Sequence, residues 1–126
     1  MLARVLPAVL LSLLFLVPPL DADATWRWLR GAAVQEFTDA DWDLLKAEAR
    51  HVLDDVETGV RVDWRNDATG NSGAIKAILD FDHGGRACRR LAFLNLSAKG
   101  ERGVSNYNLC RQADGAWEYL SDSEVR

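Results

Sequence analysis

At Gly59 the hydrophobic pattern of the chain changes its period, and this change constrains the fold more than any other feature. Before it, Trp42, Leu45, Ala49, Val52, Leu53 and Val56 lie within a band of about 100° at the helical 100° per residue. After it, Val60, Val62 and Trp64 alternate with Arg61, Asp63 and Arg65, and Ile75, Ala77, Leu79 and Phe81 alternate with Lys76, Ile78, Asp80 and Asp82. That is the period of two expected of half-buried strands.

Local signals set the boundaries. Thr38-Asp39-Ala40-Asp41 has capping-box spacing, with Phe37 and Trp42 placed as a hydrophobic staple, so the helix is predicted to begin at Asp39 and Gly59 to stop it. Residues 25–37 carry Trp26, Trp28, Leu29, Val34 and Phe37 without a clear period and read as an irregular or briefly helical lead-in. Asn66 to Gly73 and His83-Gly84-Gly85 are turn-rich, and Cys88 to Ser97, apolar on both faces, reads as a central strand. Lys99-Gly100 turns it into Gly103 to Arg111, and Asp114-Gly115, a favoured two-residue hairpin pair, turns that into Ala116 to Leu120. The reading is class α+β: one N-terminal amphipathic helix packed on a five-stranded antiparallel meander, within a domain spanning 38–126.

The start of the chain reads as an address. Met1 to Arg4 is a short cationic stretch, Val5 to Val17 is apolar apart from Pro7 and Ser12, and Pro18-Pro19 precedes Ala22-Asp23-Ala24. This is the pattern of a secretory signal peptide over residues 1–24, and the apolar run is shorter than the roughly 20 residues of a membrane span. The expectation is an exported periplasmic chain with no transmembrane segment once the signal is removed. A balance of 15 Lys+Arg against 19 Asp+Glu, net −4, disfavours nucleic acid as a partner.

Cys88 and Cys110 are the only cysteines, and in an exported chain an even count points to a disulfide. Their midpoint falls on Lys99, where the turn is placed independently. A simple hairpin about that point sets Arg90 opposite Asn108, Ala92 opposite Asn106 and Leu94 opposite Val104, while the Asp114-Gly115 turn sets Arg111 opposite Glu118.

The search for chemistry finds no nucleophile elbow, no His-Glu-x-x-His and no phosphate loop. His51 falls opposite Trp42 around the helix and reads as a surface histidine. Asp80, Asp82 and His83 are too few and too alternating for a metal site. The reading is therefore no enzyme, no cofactor and no metal. Arg61, Arg65, Arg89, Arg90 and Arg111, together with Trp64 and Trp117, form the candidate binding surface, for an anionic envelope glycan, a lipid headgroup or a protein partner. The same arginines can instead pair with Asp63, Asp80, Asp82 and Glu118 on neighbouring strands.

Four stretches carry a family resemblance: Gly59 to Trp64, Asn66 to Gly73, Gly85-Arg86-Ala87-Cys88-Arg89, and Cys110-Arg111-Gln112-Ala113-Asp114-Gly115-Ala116-Trp117. Over roughly residues 36–121 the chain resembles the C-terminal domain of the 17 kDa surface antigen family of bacterial envelope proteins. The resemblance implies a Gram-negative cell envelope, a position peripheral to the outer membrane, and a β-rich surface-antigen domain without catalytic residues. The chain differs from many members in having no cysteine after the apolar run and no glycine-zipper segment. The expected function is that of an envelope binding or structural protein. The alternatives are a periplasmic inhibitor of an envelope hydrolase, presenting Asn66 to Gly73 as an exposed rigid loop, and a small hydrolase using His83 with Asp80 or Asp82.

Overall fold

The main helix starts where its capping residues place it. In the computed structural model, which describes Trp26, Leu29 and residues 31–126, helix α2 spans Asp39–Asp55. Thr38 is its N-cap: the Asp41 N–H donates to the Thr38 hydroxyl (3.3 Å) and the Thr38 N–H donates to the Asp41 carboxylate (2.8 Å). Both directions of the capping box are made, which satisfies amides that a helix start otherwise leaves unpaired. The Phe37 and Trp42 rings meet edge-on at 6.0 Å as the staple. A single-turn helix α1, Ala32–Gln35, precedes α2 inside the lead-in, so the main helix lies within the chain rather than at its N-terminus. The signal-peptide reading of residues 1–24 lies outside the described residues.

Strands β1 (Arg61–Arg65), β2 (Ser72–His83), β3 (Arg86–Leu96), β4 (Arg102–Arg111) and β5 (Trp117–Leu120) form one antiparallel sheet in sequential order. Helix α2 crosses β1 and β2 on one side, and α1 lies against β3 and β4. Between helix and sheet sit Leu45, Ala49, Val52, Trp64, Ile75, Leu91, Phe93 and Leu109. Burying each of the larger aliphatic or aromatic side chains contributes about 1.5–3 kcal/mol before the entropy cost of ordering it.

The disulfide joins Cys88 and Cys110, which face each other directly on β3 and β4 with Cα atoms 4.0 Å apart. Arg90 pairs with Asn108, Ala92 with Asn106 and Leu94 with Val104, as the Lys99 midpoint requires. The next hairpin departs from expectation: Arg111 lies opposite Trp117, and Glu118 opposite Cys110. Here the Gly115 N–H donates to the Gln112 carbonyl and the Gln112 N–H to the Ala116 carbonyl, with Gly115 alone at positive φ (86°). The loop is thus three residues with a glycine in the left-handed position. A two-residue loop of the mirror-image type would also have put Asp114 at positive φ, and the extra residue moves the register by one.

Two further boundaries differ. The alternation expected along β2 breaks between Ala77 and Leu79, where a bulge inserts Ile78. Because side chains alternate with period two, one inserted residue reverses the faces beyond it. Leu79 is therefore exposed, Phe81 packs on the side away from α2, and Asp80 turns toward the helix. Helix α2 ends at Asp55 with Val56 extended, and Gly59 (φ 92°) serves the turn into β1 instead of capping the helix.

The far side of the sheet has a smaller apolar cluster. Leu120, Phe81 and Val125 surround the disulfide there, and the chain turns back over it with the Val125 N–H donating to the Ser121 carbonyl.

Candidate binding surface

The arginine and tryptophan residues singled out in the sequence divide between the two sides of the sheet. Arg89, Arg111 and Trp117 gather on the helix side, at the C-terminal end of α2. Arg89 is only 13% exposed; its Nη1 donates to the carbonyls of Val52 (2.6 Å), Leu53 (3.3 Å) and Val56 (2.6 Å), and its Nε to Asp80 (2.6 Å). A fixed fork of donors thereby takes up the orphan carbonyls at the helix end. Hydrogen bonds from Arg89 and then from Thr58 hold the Asp80 carboxyl below its ordinary range. Arg111 stacks over the Trp117 ring at 5.6 Å, and the Trp117 indole N–H donates to Asp54 (3.0 Å). A groove of about 430 Å³ runs past these groups.

Arg61, Arg65 and Arg90 lie on the other side. Arg61 pairs with Asp63 and Arg65 with Asp67, each at 2.8 Å and well exposed. Arg90 holds Asp122 (2.7 Å), which Asn108 also holds (2.7 Å), and these two hydrogen bonds keep the Asp122 carboxyl below its ordinary range. Trp64 is on neither surface: it is 4% exposed and packs edge-on against Phe37. The seven residues thus do not share a face, and five ion pairs or stacks occupy the five arginines. Arg86, which sequence reasoning did not weigh, takes Glu118 (3.0 Å) in place of Arg111.

The residues of the two alternative readings are equally well defined. The loop before β2 is tied inward: Asn66 (2.9 Å), Thr69 (2.8 Å) and Asn71 (2.8 Å) all donate to the Asp41 carboxylate. Asn71 also donates to the Glu36 carbonyl (3.2 Å) and accepts from the Ala98 N–H (2.8 Å), so only Asp67 and Ala68 at the loop tip are exposed. Burial pushes the Asp41 carboxyl up, but the bonds from Asn71, the Thr38 backbone, Thr69 and Asn66 outweigh it and bring the carboxyl to about 2. At the far end of β2, Asp82 accepts from the Gly85 N–H (3.1 Å), and His83 does not line the groove that Asp80 borders. His51 is 52% exposed on α2 beside Asp55. Among the described residues, no group of three or more His, Cys, Asp or Glu side chains is arranged around a metal site.

What the sequence reading missed lies on the open side of the sheet. A shallow depression of about 160 Å³ is floored by Ala74 and Leu94, with Val104 projecting beside it at 67% exposure and Arg61, Lys76 and Arg102 at its rim. Lys76 and Arg102 have no ion-pair partner among the described residues. The Leu94–Val104 pair is legible from the Lys99 midpoint, but only the packed structure shows that nothing described covers it. No described helix is long and apolar enough to cross a membrane. No family model, no curated protein and no solved structure matches the chain.

Proposed function

We propose that this chain is an exported, disulfide-stapled binding domain of the Gram-negative cell envelope, periplasmic and peripheral to the outer membrane, that catalyses no reaction. Its binding surface is the open side of the sheet. The observation that carries this reading is the pair of cations without ion-pair partners among the described residues, Lys76 and Arg102, flanking exposed aliphatic side chains on a sheet whose Arg61, Arg65, Arg86, Arg89, Arg90 and Arg111 are engaged. Cations without internal partners and an aliphatic strip without a cover are suited to an anionic, partly apolar partner. The intramolecular disulfide is compatible with an oxidising compartment. The resemblance to the surface antigen family supports the envelope location.

Fractionation of the native host tests it. The exported chain should be recovered with the envelope, and Lys76→Glu/Arg102→Glu should shift it to the soluble exported fraction while circular dichroism stays unchanged. Equal retention of the double variant would refute the assignment of the surface. The rigidity of the Asn66–Asn71 loop favours a second reading, inhibition of an envelope hydrolase through its tip. That reading requires Asp67→Arg, not the Lys76/Arg102 variant, to abolish binding.

A further inference from the structure

The geometry points to an anionic phospholipid surface as the occupant of the open sheet face; this rests on the binding-surface reading above and names its partner. Three features of the face select among anionic partners. The first is spacing. Lys76 aligns with Ala92 and Asn106 across the sheet, and Arg102 aligns with Leu96 and Ser72, two strands over and four residues along. Their Cα atoms are therefore roughly 16 Å apart on a sheet of ordinary dimensions. Side chains that stand up from the sheet at that spacing present two separate charges, which a surface studded with phosphates can meet at once.

The second is the chemistry between the cations. Ala74, Ala92, Leu94 and Val104 are aliphatic, and the one aromatic residue bordering the depression, Phe93, is 1% exposed and belongs to the core on the helix side, so it offers no ring face on which a sugar could stack. Val104 projects outward, and Leu79, on the same side after the bulge, is 51% exposed. Protein hot spots set aromatic or arginine anchors into pockets. Projecting aliphatic tips ringed by long cationic side chains instead suit the boundary between headgroups and acyl chains, where the tips enter and the cations reach back to phosphate. A second copy of the chain meeting this face about a two-fold axis would set Lys76 and Arg102 against each other, which like-charge repulsion opposes.

The third is the charge on the opposite side. The helix covering the other face carries Asp39, Asp43, Glu48, Asp54 and Asp55 against Lys46 and Arg50. An anionic bilayer repels that side and attracts the open face, so the distribution of charge sets the orientation of approach. Attraction of this kind is screened by salt.

Vesicle flotation with the full exported protein tests the inference. Vesicles of one part phosphatidylglycerol to three parts phosphatidylcholine should carry the protein at low salt, and pure phosphatidylcholine vesicles should not. Binding should fall by about tenfold or more in Lys76→Glu/Arg102→Glu, fall in Val104→Asp, and fall in the wild type as salt is raised. Arg50→Glu, on the helix side, should bind as wild type does. Equal binding to neutral vesicles, or no loss in the double variant, would overturn the inference. Absence of flotation, with the double variant still released from the host envelope, would also overturn it while leaving the binding surface intact, and would make the partner a protein. Failure of both experiments would remove both readings.

Discussion

Asp41 shows how one side chain can serve two levels of structure. As the third residue of α2 it closes the capping box, and at 0% exposure it also gathers Asn66, Thr69 and Asn71, so the helix start fixes the β1–β2 loop. Its carboxyl is at about 2, below its ordinary 3.8. A carboxyl with a depressed folded value contributes stability that is present above its unfolded value and lost as pH falls through the folded one. The lowering is worth about 2 kcal/mol at neutral pH. Asp41→Asn should therefore unfold at lower urea than wild type at pH 7, and the gap should narrow as pH is taken from about 4 to 2. A gap that does not depend on pH would show that the charge is not what matters. Gly73 is a second single-residue constraint. A Cβ there would lie 2.5 Å from the Trp64 indole nitrogen and 2.6 Å from the Leu94 carbonyl oxygen, and the latter is backbone that cannot step aside. Gly73→Ala should cost about 1–3 kcal/mol by overpacking, visible in urea melts together with a changed Trp64 fluorescence environment.

Elements were legible in proportion to how local their causes are. The start of α2 was written in Thr38, Asp41, Phe37 and Trp42 because capping and stapling act within one turn. The β3–β4 register was legible because two cysteines must meet. The β4–β5 register missed by one because Asp114-Gly115 fits two loops, and the choice between them is a single dihedral at Asp114. The β2 bulge left no trace in the alternation of Ile75, Ala77, Leu79 and Phe81; it brings Asp80 to Arg89, a contact nine residues away in sequence. The candidate surface was the least legible, since which cations stay unpaired depends on where every carboxylate ends up. The C-terminal end of α2 carries an element-scale prediction. Only a fork can reach three carbonyls and Asp80 at once, so Arg89→Lys should cost about 2 kcal/mol, in the range of hydrogen bonds to charged groups. Amide exchange near residues 52–57 should quicken. Arg65→Ala, which removes an exposed pair 70% and 92% open to solvent, should stay within about 0.5 kcal/mol of wild type.

Over the whole molecule, the sheet is covered unequally: helices and a continuous core lie on one side, and a small cluster built on the disulfide lies on the other. A domain of this size leaves a large fraction of its surface exposed, so restricting the unfolded chain has a large effect. The Cys88–Cys110 crosslink closes a sequence separation of 22, for which chain entropy gives about 3 kcal/mol. Reduction, or Cys88→Ala/Cys110→Ala, should lower Tm by more than about 10 °C in a domain of roughly 100 residues. Access to the bond depends on the C-terminal turn. Both cysteines are at most 2% exposed, and the turn that covers them is tied down by Arg90 and Asn108, which hold Asp122 from adjacent strands. In the native protein a reductant can therefore reach the sulfurs only after this turn lifts or the domain opens. Asp122→Ala should leave the Cys88–Cys110 pairing and most of the stability in place but speed reduction by dithiothreitol in native buffer, followed by thiol labelling over time. Equal rates for wild type and variant, both matching the rate of global unfolding, would show that the disulfide is released only when the sheet itself comes apart.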